Sequence, residues 1–302
     1  LSLLLITGCG VGTEETISSV NDTTSTLEIT TTLMETTAQS VTSQSETQTA
    51  LNEIKSSIME VHFIDVGQAD CILIESAEEY MLVDAGNNGD AKTIIDYLKS
   101  EGVSTLKYAV GTHPHEDHIG SLDTVINNFD VETVILPPKE HTSKTFEDVL
   151  DAIESNSLEI TLPNVGDIYE IGDAAFTILA PMGDKDYGDE LNNWSIGIKL
   201  INGNTSFVMC GDAEEEAEED IINSGIDISA NVLKLNHHGS NTSSSEKFLN
   251  SVNPEYAVIC CETGNSYGHP HKETVEKLIQ YGIKTFRIDE QGTIVAISDG
   301  ET

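Results

Sequence analysis

The stretch that decides the reading is THPHEDHIG, Thr112 to Gly120, in which residues 113 to 118 hold three histidines and two carboxylates. Placing that many ionisable groups together in a folded interior is costly unless something pairs with them. The apolar run YAVG precedes the cluster and IGSLDTVI follows it. The cluster therefore leaves the carboxyl end of a strand and enters a helix, the place where α/β sheets build their sites. In an extended segment His113 and His115 point the same way and can grip one metal ion. Asp117 and His118, a turn further on, can grip a second. Imidazole and carboxylate suit Zn²⁺, Mn²⁺ or Fe, and two ions about 3.5–4 Å apart can clamp both oxygens of a displacement.

Working outward, seven of the nine histidines fall in three clusters, at 113/115/118, 237/238 and 269/271. FVMCGDAE places Asp212 at a strand end, where it reads either as a bridging carboxylate or as the residue opening the helix AEEEAEEDIINSG. LKLNHHGS places His237 and His238 at another strand end, and SYGHPH places Tyr267 and His269 in a loop. His271 reads as an exposed helix start. Asp65 and Asp70 flank a tight turn near the site, for which turn chemistry is at least as good an explanation as a part in the site. Asp84, in VDAG, ends a strand and is positioned to hold a ligand histidine through its far nitrogen. Cys71, Cys210, Cys260 and Cys261 lie in or beside apolar runs and read as buried free thiols. The alternation of short apolar runs with helical patterns from about residue 59 suits two packed sheets with helices outside.

FIDVGQAD, LVDAG, THPHEDHIG, NNWS, CGDAEEEAE, LKLNHHGSNTSS and NSYGHPH occur in this order. The sequence thereby resembles the metallo-β-lactamase superfamily over about residues 59 to 300, and within it the C-terminal hydrolase domain of ComEC-type DNA-uptake proteins; phosphorylcholine esterases of teichoic acid are similar. The resemblance implies an α/β fold, the four-layer αββα sandwich, with a dinuclear metal site of two divalent ions, Zn²⁺ or Mn²⁺. It implies that His113 and His115 bind one metal, that Asp117 and His118 bind the other, and that Asp212 bridges them. It favours His238 over His237 as the last ligand, with His237 beside the substrate. Asp117 would also orient a metal-bound hydroxide, and His269 would contact a phosphate or protonate a leaving group. The chain departs from most of the superfamily in having NNWS, Asn192 to Ser195, where a third histidine for the first metal is usual. A phosphodiester can bring its own anionic oxygen to that place, whereas the amide and lactone hydrolases of the superfamily usually keep a strong three-histidine site to generate hydroxide. This favours a phosphodiesterase or nuclease acting on DNA.

The 302 residues carry a formal charge of −38. From Val61 onward 44 acidic and 13 basic residues leave −31, without the basic patch on which nucleic-acid binding leans. Affinity for DNA should therefore be weak. The charge keeps open a phosphorylcholine esterase or another small phosphodiester hydrolase of the cell envelope, and a non-catalytic metal- or ligand-binding surface lipoprotein. The run AEEEAEED, 213 to 220, reads as a solvated helix face. At the other end, LSLLLITGCG resembles the end of a bacterial lipoprotein signal. Residues 1–9 read as a truncated signal peptide with Cys9 as lipid anchor, 10–58 as a disordered Ser/Thr-rich stalk and 59–302 as the hydrolase domain. That organisation predicts an enzyme tethered to the extracellular face of the cell membrane.

Overall fold

The computed structural model describes residues 58 to 302; the expected signal, Cys9 and nearly all of the expected stalk lie outside the described residues. Two seven-stranded sheets form the body. The first has the order β14-β1-β2-β3-β4-β5-β6 and the second β13-β12-β11-β10-β9-β8-β7. In the first, β1 (Met59–Phe63), β2 (Ile72–Ser76) and β3 (Glu79–Val83) run antiparallel, and β4 (Thr105–Val110), β5 (Asp130–Ile135) and β6 (Ile160–Thr161) continue parallel to β3. In the second, β7 (Ile168–Ile171), β8 (Ala174–Ala180), β9 (Gly197–Asn202) and β10 (Thr205–Met209) form a meander. Then β11 (Val232–Lys234), β12 (Tyr256–Ile259) and β13 (Lys284–Arg287) run parallel to β10, while β14 (Ile294–Ser298) returns to pair with β1 in the first sheet.

Period-two alternation sorts the strand side chains into two layers. Phe63, Ile74, Met81, Phe176, Leu200 and Phe207 face between the sheets. Leu73, Leu82 and Ala109 face outward under α1 (Ala91–Ser100), α3 (Leu122–Asn128) and α4 (Lys144–Ser155). On the second sheet, Val208, Leu233 and Ile259 face outward under α5 (Glu215–Asn223), α6 (Glu246–Val252) and α7 (Lys272–Tyr281). Helix, sheet, sheet and helix make the αββα sandwich. Two single-turn helices, α2 (Glu116–Ile119) and α8 (Ile288–Gln291), complete the described elements. Adjacent Cys260 and Cys261 fall on opposite faces, one between the sheets and one beneath the helices, and all four cysteines of this region are free and buried.

Strand β9 begins at Gly197, because Leu191–Trp194 turn as a 3₁₀ helix that redirects Ser195 inward. Two local readings change. Helix α5 begins at Glu215 with Glu214 as its cap, so Asp212 does not open it. The acidic run is not wholly a solvated face either, since Glu218 is fully buried. Its carboxylate accepts from Asn236 Nδ2 at 2.8 Å, from the Ser244 amide at 2.5 Å and from the Ser245 amide at 2.9 Å. It ties α5 to the turn that carries His237 and His238 and to the start of α6. Glu218→Ala strands these three donors, and a loss of about 3 kcal/mol is expected. Urea unfolding measures it; a change in midpoint near zero would show that the donors find other partners.

Candidate metal centre

The parallel strands β3, β4, β10, β11 and β12 all end on one edge of the sandwich, and the polar motifs leave the sheets there. Asp84 follows β3 with a left-handed backbone, φ 61°. His113 to His118 follow β4, and Asp212 follows β10. His237, His238 and Gly239 follow β11 with three consecutive positive φ values, 49°, 53° and 84°. Such conformations are costly for residues other than glycine and concentrate at sites. Here they turn the chain back sharply, and Gly239 leaves no room for a side chain, since a Cβ would lie 2.6 Å from Pro270. Backbone bonds lock the loops together: Ala85 N donates to His118 O, Asp70 N to Asp117 O and Gly120 N to Gly86 O.

Asp117, His118, Asp212 and His238 bring four donor atoms within 4.8 Å of one another. His118 Nδ1 lies 2.7 Å from Asp84 Oδ2, and His238 Nδ1 lies 2.8 Å from the Cys260 carbonyl. Each ring thus has an acceptor for its Nδ1 proton and turns Nε2 toward the group, the arrangement that orients a ligand imidazole. Those two Nε2 atoms lie 3.2 and 3.4 Å from Asp212 Oδ2 without the geometry of a hydrogen bond, and Asp212 Oδ1 is likewise buried without one. Buried donors and acceptors are rarely left so, and a divalent cation would satisfy them; the donor set therefore fits one. His113 Nε2 and His115 Nδ1 converge at 2.9 Å beside the group, two donors with no third His, Cys, Asp or Glu completing a set within the same limit among the described residues. Ser195 Oγ sits 3.2 Å from His113 Nδ1 and accepts from the Asp212 amide at 3.1 Å. That serine is the contribution of NNWS: it braces His113 and Asp212 alike.

The electrostatics point the same way. Burial alone would lower the His118 and His238 pKa values, yet Asp212, Asp84 and Asp117 carry His118 well above the ordinary imidazole range, and Asp212 and Asp70 raise His238 to about 10. Burial opposes ionisation of Asp117 and Asp212, but the two imidazoles hold both carboxyls well below their usual range. The site demands positive charge. Sequence reasoning missed one source of it. Lys234, on β11, is fully buried; its ammonium contacts Asp70 Oδ2, donates to Gly211 O at 3.1 Å and lies 3.9 Å from Asp212 Oδ1. Asp70 itself is 1% exposed and 3.5 Å from His238 Nδ1. It belongs to the centre, whereas Asp65 does perform turn chemistry through the Gly67 amide.

A cavity of about 400 Å³ opens over the group, with Gln68, Glu116, Asn192, His237, Tyr267 and His269 on its walls. His237 stands at its edge, with Nε2 3.7 Å from Asp212 Oδ2 and Nδ1 3.2 Å from Glu214 Oε1. Gln68 has its carbonyl oxygen engaged by the Glu262 amide, which leaves its Nε2 to donate to His269 Nδ1 at 3.4 Å. The His269 proton then sits on Nε2. Burial and the charges of His237, His238 and His271 lower its pKa to about 4, so at neutral pH it is an uncharged donor, not a proton reservoir. His271 caps α7 and accepts from the Asn241 amide, away from the cavity wall.

Fold and site together define a class, metal-dependent hydrolases of the αββα type. The chain belongs to the metallo-beta-lactamase superfamily, whose family profile matches residues 64–263. It is 30% identical over 254 residues to ComE operon protein 3 of Bacillus subtilis (strain 168), covering 78% of this chain and 32% of that protein. It is 30% identical over 234 residues to Competence protein ComA of Neisseria gonorrhoeae, covering 76% and 31%. The chain thus spans about a third of the length of these relatives. Among solved structures, the metallo-beta-lactamase fold protein YhfI from Bacillus subtilis superposes with a TM-score of 0.53 at 12% identity, covering 80% of this chain and 99% of that one. Igni18, a metallo hydrolase from the archaeon Ignicoccus hospitalis, gives 0.51 at 15% identity, covering 78% and 98%.

A cation that satisfies the orphaned donors should stabilise the fold. With free Mn²⁺ or Zn²⁺ at ~100 times its Kd, the melting temperature should rise by about 5 to 10 °C, and a chelator should reverse it. Asp84→Ala, which frees His118 to rotate, should weaken binding ~10- to 100-fold; unchanged affinity by calorimetry would remove Asp84 from that role.

Proposed function

We propose that the protein is a metal-dependent phosphodiesterase whose first candidate substrate is DNA. The observation that carries this is the buried, unpartnered donor group opening on a cavity with uncharged hydrogen-bond donors at its wall. One relative is named for competence and another for recombination, which favours a nucleic acid. Bound at Asp117, His118, Asp212 and His238, and beside them at His113 and His115, two divalent ions, Zn²⁺ or Mn²⁺, would supply Lewis-acid polarisation of the phosphoryl oxygens and a nucleophile at neutral pH. The remaining work falls to the chain. Asp212 holds the two imidazole-bearing loops in register, and Asp117, 30% exposed in its side chain, faces the cavity and orients the attacking group. His269 offers Nε2–H to a phosphate oxygen and His237 stands beside it, with ring centroids 5.3 Å apart. Asn192, whose Oδ1 makes no hydrogen bond, lies on the same wall. With His269 neutral, protonation of the leaving oxygen falls to another group or to water.

One observation favours a second reading. None of the described residues lining the cavity is Lys or Arg, and Glu116 stands on its wall. A zwitterionic phosphorylcholine ester would meet less repulsion there than a polyanion. Metal-reconstituted assays with single- and double-stranded DNA, bis-p-nitrophenyl phosphate, a phosphorylcholine ester and a β-lactam separate these readings.

Asp117→Ala and Asp212→Ala should each lower kcat/KM on a phosphodiester by at least ~10²- to 10³-fold with the fold retained. His269→Ala should cost about 10- to 100-fold without loss of metal. β-Lactam turnover exceeding phosphodiester turnover would overturn the assignment. We further propose export and tethering through Cys9. A Cys9→Ala variant should be released from membranes or left unprocessed, and unchanged fractionation would reject the anchor.

A further inference from the structure

Tyr267 stands at the mouth of the cavity, 66% exposed, a large aromatic ring where burial would be usual. It is not loose. Asn265 Oδ1 accepts from the amides of both Tyr267 and His269 at 3.0 Å, and Asn265 Nδ2 donates to Glu262 O at 2.8 Å and to His269 O. Gly268 supplies the positive φ, 80°, that the turn between the two rings requires. The Tyr267 and His269 rings stack with centroids 5.6 Å apart and planes 21° from parallel, and His269 lies 25° from the plane of His238. The exposed ring is therefore a fixed shelf that continues the ring stack outward from the donor group.

A phosphodiester strand entering this cavity meets no Lys or Arg among the described residues of its walls, and the surrounding domain is strongly acidic. Beyond the phosphate held at the donor group, basic contacts to the backbone can supply no affinity here. An aromatic face can, because every base has a π surface and stacking tolerates any sequence. It can do so only for a base whose own faces are free, and within a duplex the neighbouring stacked base pairs cover them. Resting on the phosphodiesterase reading, we propose that Tyr267 is a base-stacking platform and that the substrate is an unpaired nucleotide of a single strand, held by its base with the adjacent phosphate over the donor group.

The test uses the full chain loaded with Mn²⁺, a single-stranded oligodeoxynucleotide, its duplex and an abasic strand of the same length. Tyr267→Ala should lower kcat/KM on the single strand about 5- to 150-fold, the value of one base–aromatic stack, chiefly through KM. Tyr267→Trp should retain it, and cleavage of the abasic strand should be the same in all three proteins. Fluorescence anisotropy with the labelled single strand should show the same loss of affinity. Asn265→Ala, which unpins the shelf and leaves the ring, should weaken binding in the same direction. Equal losses on the normal and abasic strands, or no loss on either, would overturn the platform. Loss confined to a phosphorylcholine ester would assign the ring to a quaternary ammonium and overturn it as well. Tyr267-dependent binding without cleavage of any strand would retain the platform and sink the phosphodiesterase reading instead.

Discussion

Four carboxylates, Asp70, Asp84, Asp117 and Asp212, converge on two buried imidazoles at one edge of the sandwich. Three of the four are almost wholly buried. Such a concentration of like charge is sustainable only against positive charge close by, and every feature of the edge answers that need. Lys234 contributes an ammonium from beneath, and the imidazoles of His118 and His238 retain their protons far more strongly than usual. The left-handed turns at Asp84 and at His237 to Gly239, the absence of a side chain at Gly239 and the brace from Ser195 place the rings within reach of the acids. The sheets supply rigidity, and the charge balance dictates what must stand at their ends.

The strands were legible as short apolar runs, buried on both faces, that polar motifs interrupt abruptly; their arrangement in an αββα sandwich came from the order of the motifs and the resemblance it carries. The cluster of residues 113 to 118 announced itself, since no exposed loop needs three histidines beside two acids. Asp84 was readable for the same reason, an acid closing an apolar strand. Asp212 was ambiguous because an acid between a strand and a helix serves equally well as a cap; only the three-dimensional course, with Glu214 capping instead, separates the cases. Asp70 was hidden by a turn rich in Gly and Asp.

Two residues carried weaker signals. Lys234 shares the inward register of Val232 on β11, so a lysine at that position of a buried strand was itself a sign of an internal acid. Glu218 was invisible, since it is one of six glutamates and aspartates between Glu214 and Asp220, and helical periodicity says which face it occupies but not what lies opposite. The long-range partner, Asn236 beside the His237–His238 turn, supplies the reason. Tyr267 was noted only by its neighbourhood, because exposure and ring geometry cannot be read from a loop.

The donor group draws on two different sheets, with Asp117 and His118 from the first and Asp212 and His238 from the second. No segment of the chain holds the set by itself, and no hairpin or single βα unit can preform it. Loops separated by more than 90 residues must meet before a cation finds more than two of its donors, which makes the set a product of non-local contacts, the kind that form slowly. An unfolded or half-assembled chain therefore presents the short run His113 to His118 without Asp212 and His238. A cation bound by all four donors would favour the finished sandwich over what precedes it, and would hold the two sheets together at the edge where loops alone otherwise join them.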